Sequence, residues 1–563
     1  MSESKTLPVL RYDRFFRYDE LRRFVEALAG ARPDLCRLDS FGTSREGRAI
    51  FLLTITDFTS GSPDDRPACL VHACIHAVEL AGIHAALHAA RQLLIDDDES
   101  DLLRNFTFYI IPCLNPDGSE FAAATSTRVR SRIDWTQREA NTVYQEDLNG
   151  DGLILSMRQE HPDGDWVADD LEPRILIKRR DDSAGPCYRV LPEGRIHDWD
   201  GGDRIKAAGL QAWLGTDPAV TGGLSYDWNR NFPYAWQPPS EQQGSGEAPL
   251  SEPETRQLAR FMRSHRNLMV LLGMHTGHAS IVQPPASGPR APIDPADDRL
   301  MDELAAMGTA ETGFPALPLV KMHPAFREDQ YRGGHLLDFA YQHLGMCGFD
   351  FEMGTILNSA GLQTSQFLAA QSVEELEAHD RCLFQWWDRQ SARPPLFQPW
   401  EPFDHPQLGR VEIGGFLYTH LDNPALADVE EISDGAYRFM LRLAGQRPRL
   451  VAEDLQVECA GPSTYRIRLR LMNPGGLATS ITHRSRSLHP RLEIELRPAP
   501  GITLVSTQDD AEGQHLDALG GTRNLCWAVS GEAKDANLCD IDVQGHAAGR
   551  LRLAVTTRGG DEK

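Results

Sequence analysis

The sequence lacks any long hydrophobic run and any recognisable secretory signal. No stretch stays apolar for the roughly 18 residues that a membrane-spanning helix needs. Residues 1–7 do not combine a positively charged start with an apolar run, as a secretory signal does. We therefore expect a cytoplasmic protein that does not have a membrane as its partner.

Paired cysteines and excess basic charge are absent as well. The ten cysteines include no Cys-x-x-Cys pair and no regular spacing, which favours small buried side chains in a reducing compartment over a disulfide framework. The formal net charge is −24, with 81 acidic against 57 basic residues. Because an acidic surface repels phosphate backbones, we do not expect a nucleic-acid partner.

The residues that are present are typical of a globular protein with two or more domains. Of the 563 residues, 41% are hydrophobic and 25% are charged. Helix-like and strand-like segments alternate over the first two-thirds, which predicts an α/β sheet. The predicted helix covers residues 18–28, and the predicted strands cover residues 50–56, 68–73, 106–111, 268–272 and 347–351. Open sheets of this class build their sites beyond the carboxyl ends of their strands.

The pattern changes after a proline-rich connector at residues 394–399. A helix is predicted over residues 428–443, and alternating residue types over 465–471, 492–496 and 551–555 predict the strands of a β-sandwich. We therefore expect an α/β domain at 1–395 with an insertion at about 133–225, a connector with one helix at 396–447, and a smaller β-sandwich at 448–563.

A histidine and a glutamate, three positions apart, stand where a strand is expected to give way to a helix. They are His76 and Glu79 in the run Cys74-Ile-His-Ala-Val-Glu-Leu80, and His275 ends another apolar strand far downstream. Two imidazoles and one carboxylate are the protein ligands of hydrolytic zinc sites, which leave one position open for water. A bare His-x-x-Glu is more often a solvated pair, so the zinc interpretation depends on the rest of the chain.

Further polar motifs follow in a consistent order. Asn115-Pro-Asp-Gly118 comes after a predicted strand and is followed by a cluster of arginines that includes Arg130. Asn229 and Arg230 can clamp a carboxylate, because a guanidinium matches its geometry with two parallel hydrogen bonds. Glu352 ends an apolar strand, where a carboxylate can serve as a general base.

From residue 15 to about residue 390, the chain resembles the zinc carboxypeptidases of the M14 peptidase family, through these motifs in this order. The resemblance implies a mixed-sheet α/β catalytic domain and one Zn²⁺ per chain, held by His76, Glu79 and His275. It also implies hydrolysis of the C-terminal peptide bond of a peptide substrate that has a free C-terminal carboxylate.

The resemblance assigns further roles residue by residue. Glu352 would be the general base, and Arg130 would polarise the scissile carbonyl. Asn229 and Arg230 would hold the terminal carboxylate of the substrate. Tyr331 is the nearest candidate for the family's substrate-binding tyrosine, although the segment after it is one residue longer than usual.

Two other functions stay open at this point. One is a zinc-dependent amidase or deacylase that acts on murein peptides or acyl amino acids, and the other is a non-catalytic zinc-binding module. The intact general base, arginine and carboxylate clamp count against both. Leu337 stands where relatives specific for basic residues carry an acid, which disfavours Lys or Arg as the released residue.

The insertion contains an Asp-rich turn that has the oxygen ligands and the glycine of a calcium loop. The turn is Asp147-Leu-Asn-Gly-Asp-Gly152, and its twelfth position is Arg158 instead of a bidentate glutamate. This departure argues against an EF-hand. A weaker structural Ca²⁺ site near Asp147, Asn149 and Asp151 is one interpretation, and a hydrogen-bonded turn is the other.

Several other histidines lie close to the first metal motif in sequence. His72 precedes His76 by four residues, and His84 and His88 repeat that interval, but the glutamate of an HExxH motif is missing from both pairs. We interpret His72 as pointing into the sheet and the other two as residues on a helix face. His278 is either a neighbour of the metal ligands or a loop residue.

Overall fold

A computed structural model of the protein describes residues 6–95, 100–133, 138–180, 183, 185–208, 221–222, 225–287, 292–322, 332–362, 373–390, 395–489, 491–509, 515–532 and 536–562. The elements before the insertion are the helices α1 Tyr18–Ala31, α2 Ala81–Ile95, α3 Ser100–Asn105 and α4 Pro116–Thr125, and the strands β1 Cys36–Thr43, β2 Ala49–Ile55, β3 Ala68–Ala73, β4 Thr107–Ile111 and β5 Arg132–Ile133. A 3₁₀ turn covers Pro63–Asp65.

The next elements complete the insertion and the main sheet. The insertion contains β6 Thr142–Gln145, β7 Ser156–Glu160, β8 Trp166–Ala168, β9 Leu176–Lys178, β10 Cys187–Pro192, β11 Gly194–His197, β12 Lys206–Ala208, β13 Thr221–Gly222 and β14 Ser225–Tyr226. The helices that follow are α5 Pro253–Ser264, α6 Pro295–Thr312, α7 Leu319–Met322, α8 Leu336–Leu344, α9 Ile356–Ser359 and α10 Val373–Arg389. The strands that follow are β15 Leu268–His275, β16 Ser280–Gln283, β17 Ala316–Pro318 and β18 Cys347–Glu352.

The C-terminal third adds three helices and ten strands in the part of the chain that the structure describes. The helices are α11 Tyr418–Leu421, α12 Leu426–Gly445 and α13 His483–Leu488. The strands are β19 Phe397–His405, β20 Gly409–Phe416, β21 Val451–Gly461, β22 Thr464–Asn473, β23 Glu493–Pro498, β24 Ile502–Asp509, β25 Gly521–Gly531, β26 Asn537–Gln544, β27 Arg550–Thr556 and β28 Gly559–Glu562.

The main sheet is mixed and has the strand order β1-β2-β4-β3-β15-β18-β16-β17. The four strands β4, β3, β15 and β18 are parallel neighbours. The pairs β1–β2, β2–β4 and β18–β16 are antiparallel, and β17 is parallel to β16. The predicted α/β class is therefore confirmed. The carboxyl ends of the four parallel strands share one edge of the sheet. The polar motifs of the sequence analysis lie at or just beyond these strand ends.

Helices cover both faces of this sheet because its strands are apolar on both faces. On β3, Leu70 packs in a cluster with α5 and α8, and its neighbour Val71 packs in a second cluster with α1, α2, α6 and α12. On β15, Leu271 belongs to the first of these clusters and Leu272 to the second. Burial on two faces explains why these strands read as continuous apolar runs. Each fully buried side chain of this kind contributes about 1.5–3 kcal/mol.

The insertion forms sheets together with a segment that the sequence suggested to be a connector. Strands β19 and β20 join the sheet β19-β20-β7-β10-β8-β9, and Val411 and Ile413 of β20 bury against Met157 of β7. The expected helix is α12, whose Phe439 belongs to the main core. Residues 396–447 therefore contain two strands besides the helix, because the alternating apolar side chains of β20 complete the core of the insertion.

The last described strands form two four-stranded antiparallel sheets, β21-β22-β25-β24 and β23-β26-β27-β28. Side chains of both sheets, among them Leu469, Trp527 and Val543, share one hydrophobic core. All ten cysteines are free. None of the helices among the described residues combines the length and the apolar character that crossing a bilayer requires.

The two C-terminal sheets contact the main sheet at the amino ends of its parallel strands. Arg552 of β27 pairs with Asp65, just before β3, at 3.0 Å. The Thr482 hydroxyl donates to the Gly345 carbonyl, just before β18, at 2.7 Å. These contacts lie at the edge opposite the carboxyl ends, so the C-terminal sheets do not face the predicted site.

A buried carboxylate at the start of α5 makes the stability of the fold depend on pH. Glu254 is 1% exposed, and one of its oxygens accepts from the Arg45 amide at 2.9 Å. Burial raises the pKa of this carboxyl from 4.5 to about 7. Between these two values the folded state holds a proton that the unfolded chain has released, so stability falls as the pH rises through this window.

We expect Glu254→Gln to stabilise the protein by about 3 kcal/mol at about pH 8 and by less than about 1 kcal/mol at about pH 4.5. The amide resembles the protonated acid, so the variant avoids the cost of ionising a buried group. Chemical denaturation at the two pH values measures this difference. The exposed Glu303→Gln on α6 is the control, and an equal effect of Glu254→Gln at both pH values would contradict the explanation.

Candidate metal centre

The three predicted metal ligands meet at the carboxyl edge of the main sheet. His76 and Glu79 lie in the turn between β3 and α2, and His275 is the last residue of β15. The Nδ1 atom of His76 lies 2.7 Å from one oxygen of Glu79, and the Nδ1 atom of His275 lies 2.9 Å from the other. All three side chains are buried, and their ligand atoms lie within 4.8 Å of one another.

The donor set and its surroundings fit a zinc ion. Two imidazole nitrogens and a carboxylate are ligands that Zn²⁺ prefers. The outer nitrogen of His76 lies 3.3 Å from Asp227, and that of His275 lies 3.5 Å from Asp350. A carboxylate on the outer nitrogen keeps the proton there and leaves Nδ1 for the metal.

The charges within the centre are strongly coupled. Burial opposes ionisation of Glu79, but the neighbouring imidazoles of His76 and His275 hold the pKa of its carboxyl below the usual value. Burial also opposes protonation of His275, but the carboxylates of Asp350 and Glu79 raise its pKa to about 10. In the metal-free protein His275 therefore carries a proton that a bound metal ion would replace.

The Asn-Pro-Asp-Gly turn positions the arginine segment beside the ligands. Asn115 caps α4 by accepting from the Gly118 amide at 3.0 Å, and its Nδ2 donates to the Ser131 carbonyl at 2.6 Å. The Ala77 amide donates to the Arg130 carbonyl at 2.6 Å. A Cβ at Gly118 would lie 2.7 Å from both Ala77 and Ser131, so only glycine fits this close approach.

Arg130 contacts both the predicted ligand Glu79 and Asp227, the carboxylate that faces the predicted ligand His76. Its Nη1 donates to Glu79 at 3.0 Å, and its Nε donates to Asp227 at 3.2 Å. Asp227 also faces His76 at 3.3 Å and accepts from the Asn229 amide at 2.9 Å. Burial opposes the ionisation of Asp227, but the charge of Arg130 holds its pKa well below the usual range.

The predicted carboxylate clamp lies in the 3₁₀ turn Trp228–Arg230, which is buried. The Asn229 side-chain oxygen accepts from the Leu336 amide at 3.4 Å, and Arg230 Nη1 donates to the Asn229 carbonyl at 2.7 Å. Burial lowers the pKa of Arg230 to about 10, which leaves it protonated near neutral pH. The turn therefore holds a buried cation that has few hydrogen-bond partners among the described residues.

The predicted general base lies beside the ligands. Glu352 ends β18 opposite His275 in the parallel pairing of β15 with β18, and its side chain is partly exposed. Gly277 has a φ of 154°, and a Cβ there would lie 2.7 Å from the Glu352 carboxylate. Burial raises the pKa of Glu352 to about 8, and the negative charges of Glu79 and Asp350 act in the same direction.

Two further predictions gain no support from the described residues. Tyr331 lies outside the described residues. In the Asp-rich turn, Asp147 accepts from the amides of Gly150 and Gly152, and Asn149 accepts from the Asp151 amide. The turn is thus internally hydrogen-bonded, and the prediction of calcium gains no support from it.

Three residues near the centre carried no predicted role, namely Asp227, His335 and Asp350. Asp227 opens the Asp-Trp-Asn-Arg motif whose third and fourth residues were assigned. Asp350 lies two residues before Glu352 on the same strand, and the period of two places both on one face. That periodicity could have placed Asp350 near the centre, whereas no local pattern in the sequence places His335 there.

Zinc affinity should depend on pH, because zinc binding displaces the proton of His275. We expect the apparent affinity to fall about tenfold for each pH unit between about pH 8 and about pH 6. Competition with a chelator of known proton affinity measures this dependence. His275→Ala should abolish tight binding, whereas the control His265→Ala on the far end of α5 should retain it. Affinity that does not change with pH would contradict the assignment of His275.

Comparison with known proteins identifies the family of the chain. The zinc carboxypeptidase model of the M14 peptidases matches residues 21–166 and 206–375, and a domain family of unknown function matches residues 449–556. The chain is 25% identical over 150 residues to carboxypeptidase B of Astacus astacus and 30% identical over 142 residues to a metallocarboxypeptidase A-like protein of Trichophyton verrucosum.

These matches are partial in length. They cover 26% and 24% of this chain, and 43% and 32% of the respective relatives, so the chain spans less than half of either curated relative. Among solved structures, carboxypeptidase A of Helicoverpa armigera aligns with 68% of this chain and 76% of its own, at 18% identity and a TM-score of 0.40. Because the family model covers more than half of the 563 residues, the chain belongs to the zinc carboxypeptidase family.

Proposed function

We propose that this protein is a zinc-dependent carboxypeptidase that removes the C-terminal residue of a peptide. The observation that carries the proposal is the position of Glu352 opposite His275 in the β15–β18 pairing, beside the predicted ligands. A non-catalytic zinc module has no use for a partly exposed carboxylate at that position.

His76, Glu79 and His275 would hold one Zn²⁺. When bound, the ion supplies Lewis-acid polarisation of the substrate carbonyl and lowers the pKa of a coordinated water. Glu352 accepts the proton of the attacking water and returns it to the leaving amine. Its pKa of about 8 in the metal-free protein would fall beside a dication, which keeps the carboxylate ionised near neutral pH.

Arg130 stabilises the negative charge that develops on the carbonyl oxygen. Its guanidinium is fixed by Glu79 and Asp227, at 3.0 Å and 3.2 Å, before any substrate arrives. A donor that is already oriented needs no rearrangement during the reaction, which is the source of its catalytic effect.

The buried Arg230 binds the substrate's terminal carboxylate, and Asn229 supports it. A charge-assisted hydrogen bond to a desolvated guanidinium is strong. The charge of a third arginine, Arg332, acts on both Arg230 and Arg130. This concentration of positive charge, in a protein with a net charge of −24, favours an anionic substrate terminus.

The proposed base is tested by Glu352→Gln, which keeps the shape of the side chain and removes its proton affinity. We expect kcat to fall by about 10²–10⁴-fold while zinc content stays at one equivalent per chain. Release of C-terminal amino acids from a peptide mixture gives the rate, and metal analysis gives the zinc content. Exposed Glu303→Gln should match the wild type. Undiminished activity of Glu352→Gln would refute the role of this residue.

The proposed clamp is tested by Arg230→Lys, which keeps the charge but loses the planar fork. We expect kcat/KM for peptides with a free C-terminal carboxylate to fall by about 10–100-fold, mainly through KM. C-terminally amidated peptides should be poor substrates for both proteins. Equal cleavage of free and amidated peptides by the wild type would instead indicate an amidase or endopeptidase.

A further inference from the structure

Three residues behind the candidate centre form one row across three parallel strands. Gly273 of β15 pairs with His72 of β3 on one side and with Asp350 of β18 on the other. Side chains two positions apart on a strand share a face, so this row lies directly below the row that contains His275 and Glu352. The row therefore forms the floor of the centre.

Glycine in the middle of the row allows its two neighbours to meet. A Cβ at Gly273 would overlap the Asp350 carboxylate and would lie 2.9 Å from His72 Nε2 and 3.1 Å from His275. The side chains of His72 and Asp350 thus occupy the space above Gly273, against the outer edge of the His275 ring.

Asp350 is buried between two imidazoles. Its Oδ1 lies 3.5 Å from His275 Nε2, and its Oδ2 lies 4.0 Å from His335 Nε2. Among the described residues, neither Asp350 Oδ1 nor His275 Nε2 has a hydrogen-bond partner that meets ordinary geometry. The two atoms are thus buried polar neighbours, 3.5 Å apart, that lack other partners among the described residues.

The other contacts of His335 and His275 determine which of their ring nitrogens carries the proton. His335 Nδ1 accepts from the Leu337 amide at 3.2 Å, so its proton is on Nε2, which faces Asp350. When His275 uses Nδ1 for a metal ion, its proton is also on Nε2, again facing Asp350. A carboxylate between two N–H donors is a matched arrangement.

We propose that Asp350 is a positioning residue that holds the Nε2 proton of His275 and thereby orients its Nδ1 toward the zinc ion. The proposal rests on the function proposed above for His76, Glu79 and His275. His335, which caps α8, lies 4.0 Å from the same carboxylate, and the next amide, that of Leu336, donates to Asn229 at 3.4 Å. Asp350 therefore lies between the candidate metal ligand His275 and the start of the helix that contacts the proposed clamp.

A role in folding alone does not account for Asp350. A buried carboxylate without complete hydrogen-bond partners adds a desolvation cost to folding, which a purely structural role does not explain. The two explanations differ in metal affinity: a positioning role predicts weaker zinc binding in Asp350→Asn, whereas a purely structural role leaves zinc affinity unchanged.

The test compares Asp350→Asn with wild type in zinc affinity, by chelator competition, and in thermal stability of the metal-free protein. We expect zinc affinity to fall by about 10–100-fold with one binding site retained, and the stability of the metal-free protein shows that the variant is folded. Gly273→Ala, which intrudes between His72 and Asp350, should weaken zinc binding in the same direction. Asp297→Asn, at a buried carboxylate of α6 that accepts from Tyr341, should lower stability without changing zinc affinity.

The outcomes separate this proposal from the function on which it rests. Wild-type protein that binds no zinc would overturn both. Wild-type protein that binds zinc, with an unchanged affinity in Asp350→Asn, would overturn the positioning role alone. A second zinc equivalent that disappears in Asp350→Asn would also overturn it, because His72, His275 and Asp350 would then be a separate metal site.

Discussion

The interactions of one buried carboxylate hold the candidate centre together. Glu79 faces His76 at 2.7 Å, His275 at 2.9 Å and Arg130 at 3.0 Å. These partners come from three chain segments that are far apart in sequence. An unpaired carboxylate at this depth would be strongly unfavourable, so the turn after β3, the end of β15 and the arginine segment must converge on it. A cation in this position would satisfy the same requirement.

Much of the main sheet could be predicted, as could the convergence of His76, Glu79 and His275, because both depend on local patterns. The runs around Leu70 and Leu271 are almost continuously apolar, as is typical of strands buried on two faces, and polar motifs follow their ends. The order of these motifs then indicated the likeness to a known family, and that likeness assigned roles to individual residues. The boundaries differ by a few residues, and β15 extends to His275 itself.

What could not be predicted depends on long-range pairing. The contact between Arg130 and Asp227 joins residues 97 positions apart, and that between Arg158 and Glu412 joins residues 254 positions apart. No local period signals such partners. Strand β20 was missed for this reason, since only the core of the insertion explains its apolar side chains. The outer carboxylates of the two histidine ligands were missed in the same way.

The two C-terminal sheets face away from this chemistry. Arg552 of β27 contacts Asp65 and Thr482, which caps α13, contacts Gly345, both near the amino ends of the parallel strands, whereas the candidate centre lies at the carboxyl ends. These contacts place the C-terminal sheets away from the centre. Under the proposed function, substrate selection falls to the loops after β3, β15 and β18 and to the turn that holds Arg230.

The most direct test of this account is anomalous diffraction at the zinc edge from crystals of the zinc-loaded protein. The account predicts one peak at about 2.0–2.2 Å from Nδ1 of His76, Nδ1 of His275 and a carboxylate oxygen of Glu79, with Glu352 nearby but outside bonding distance. A peak centred on His72 and Asp350, or a peak bonded to Glu352 as a ligand, would contradict it.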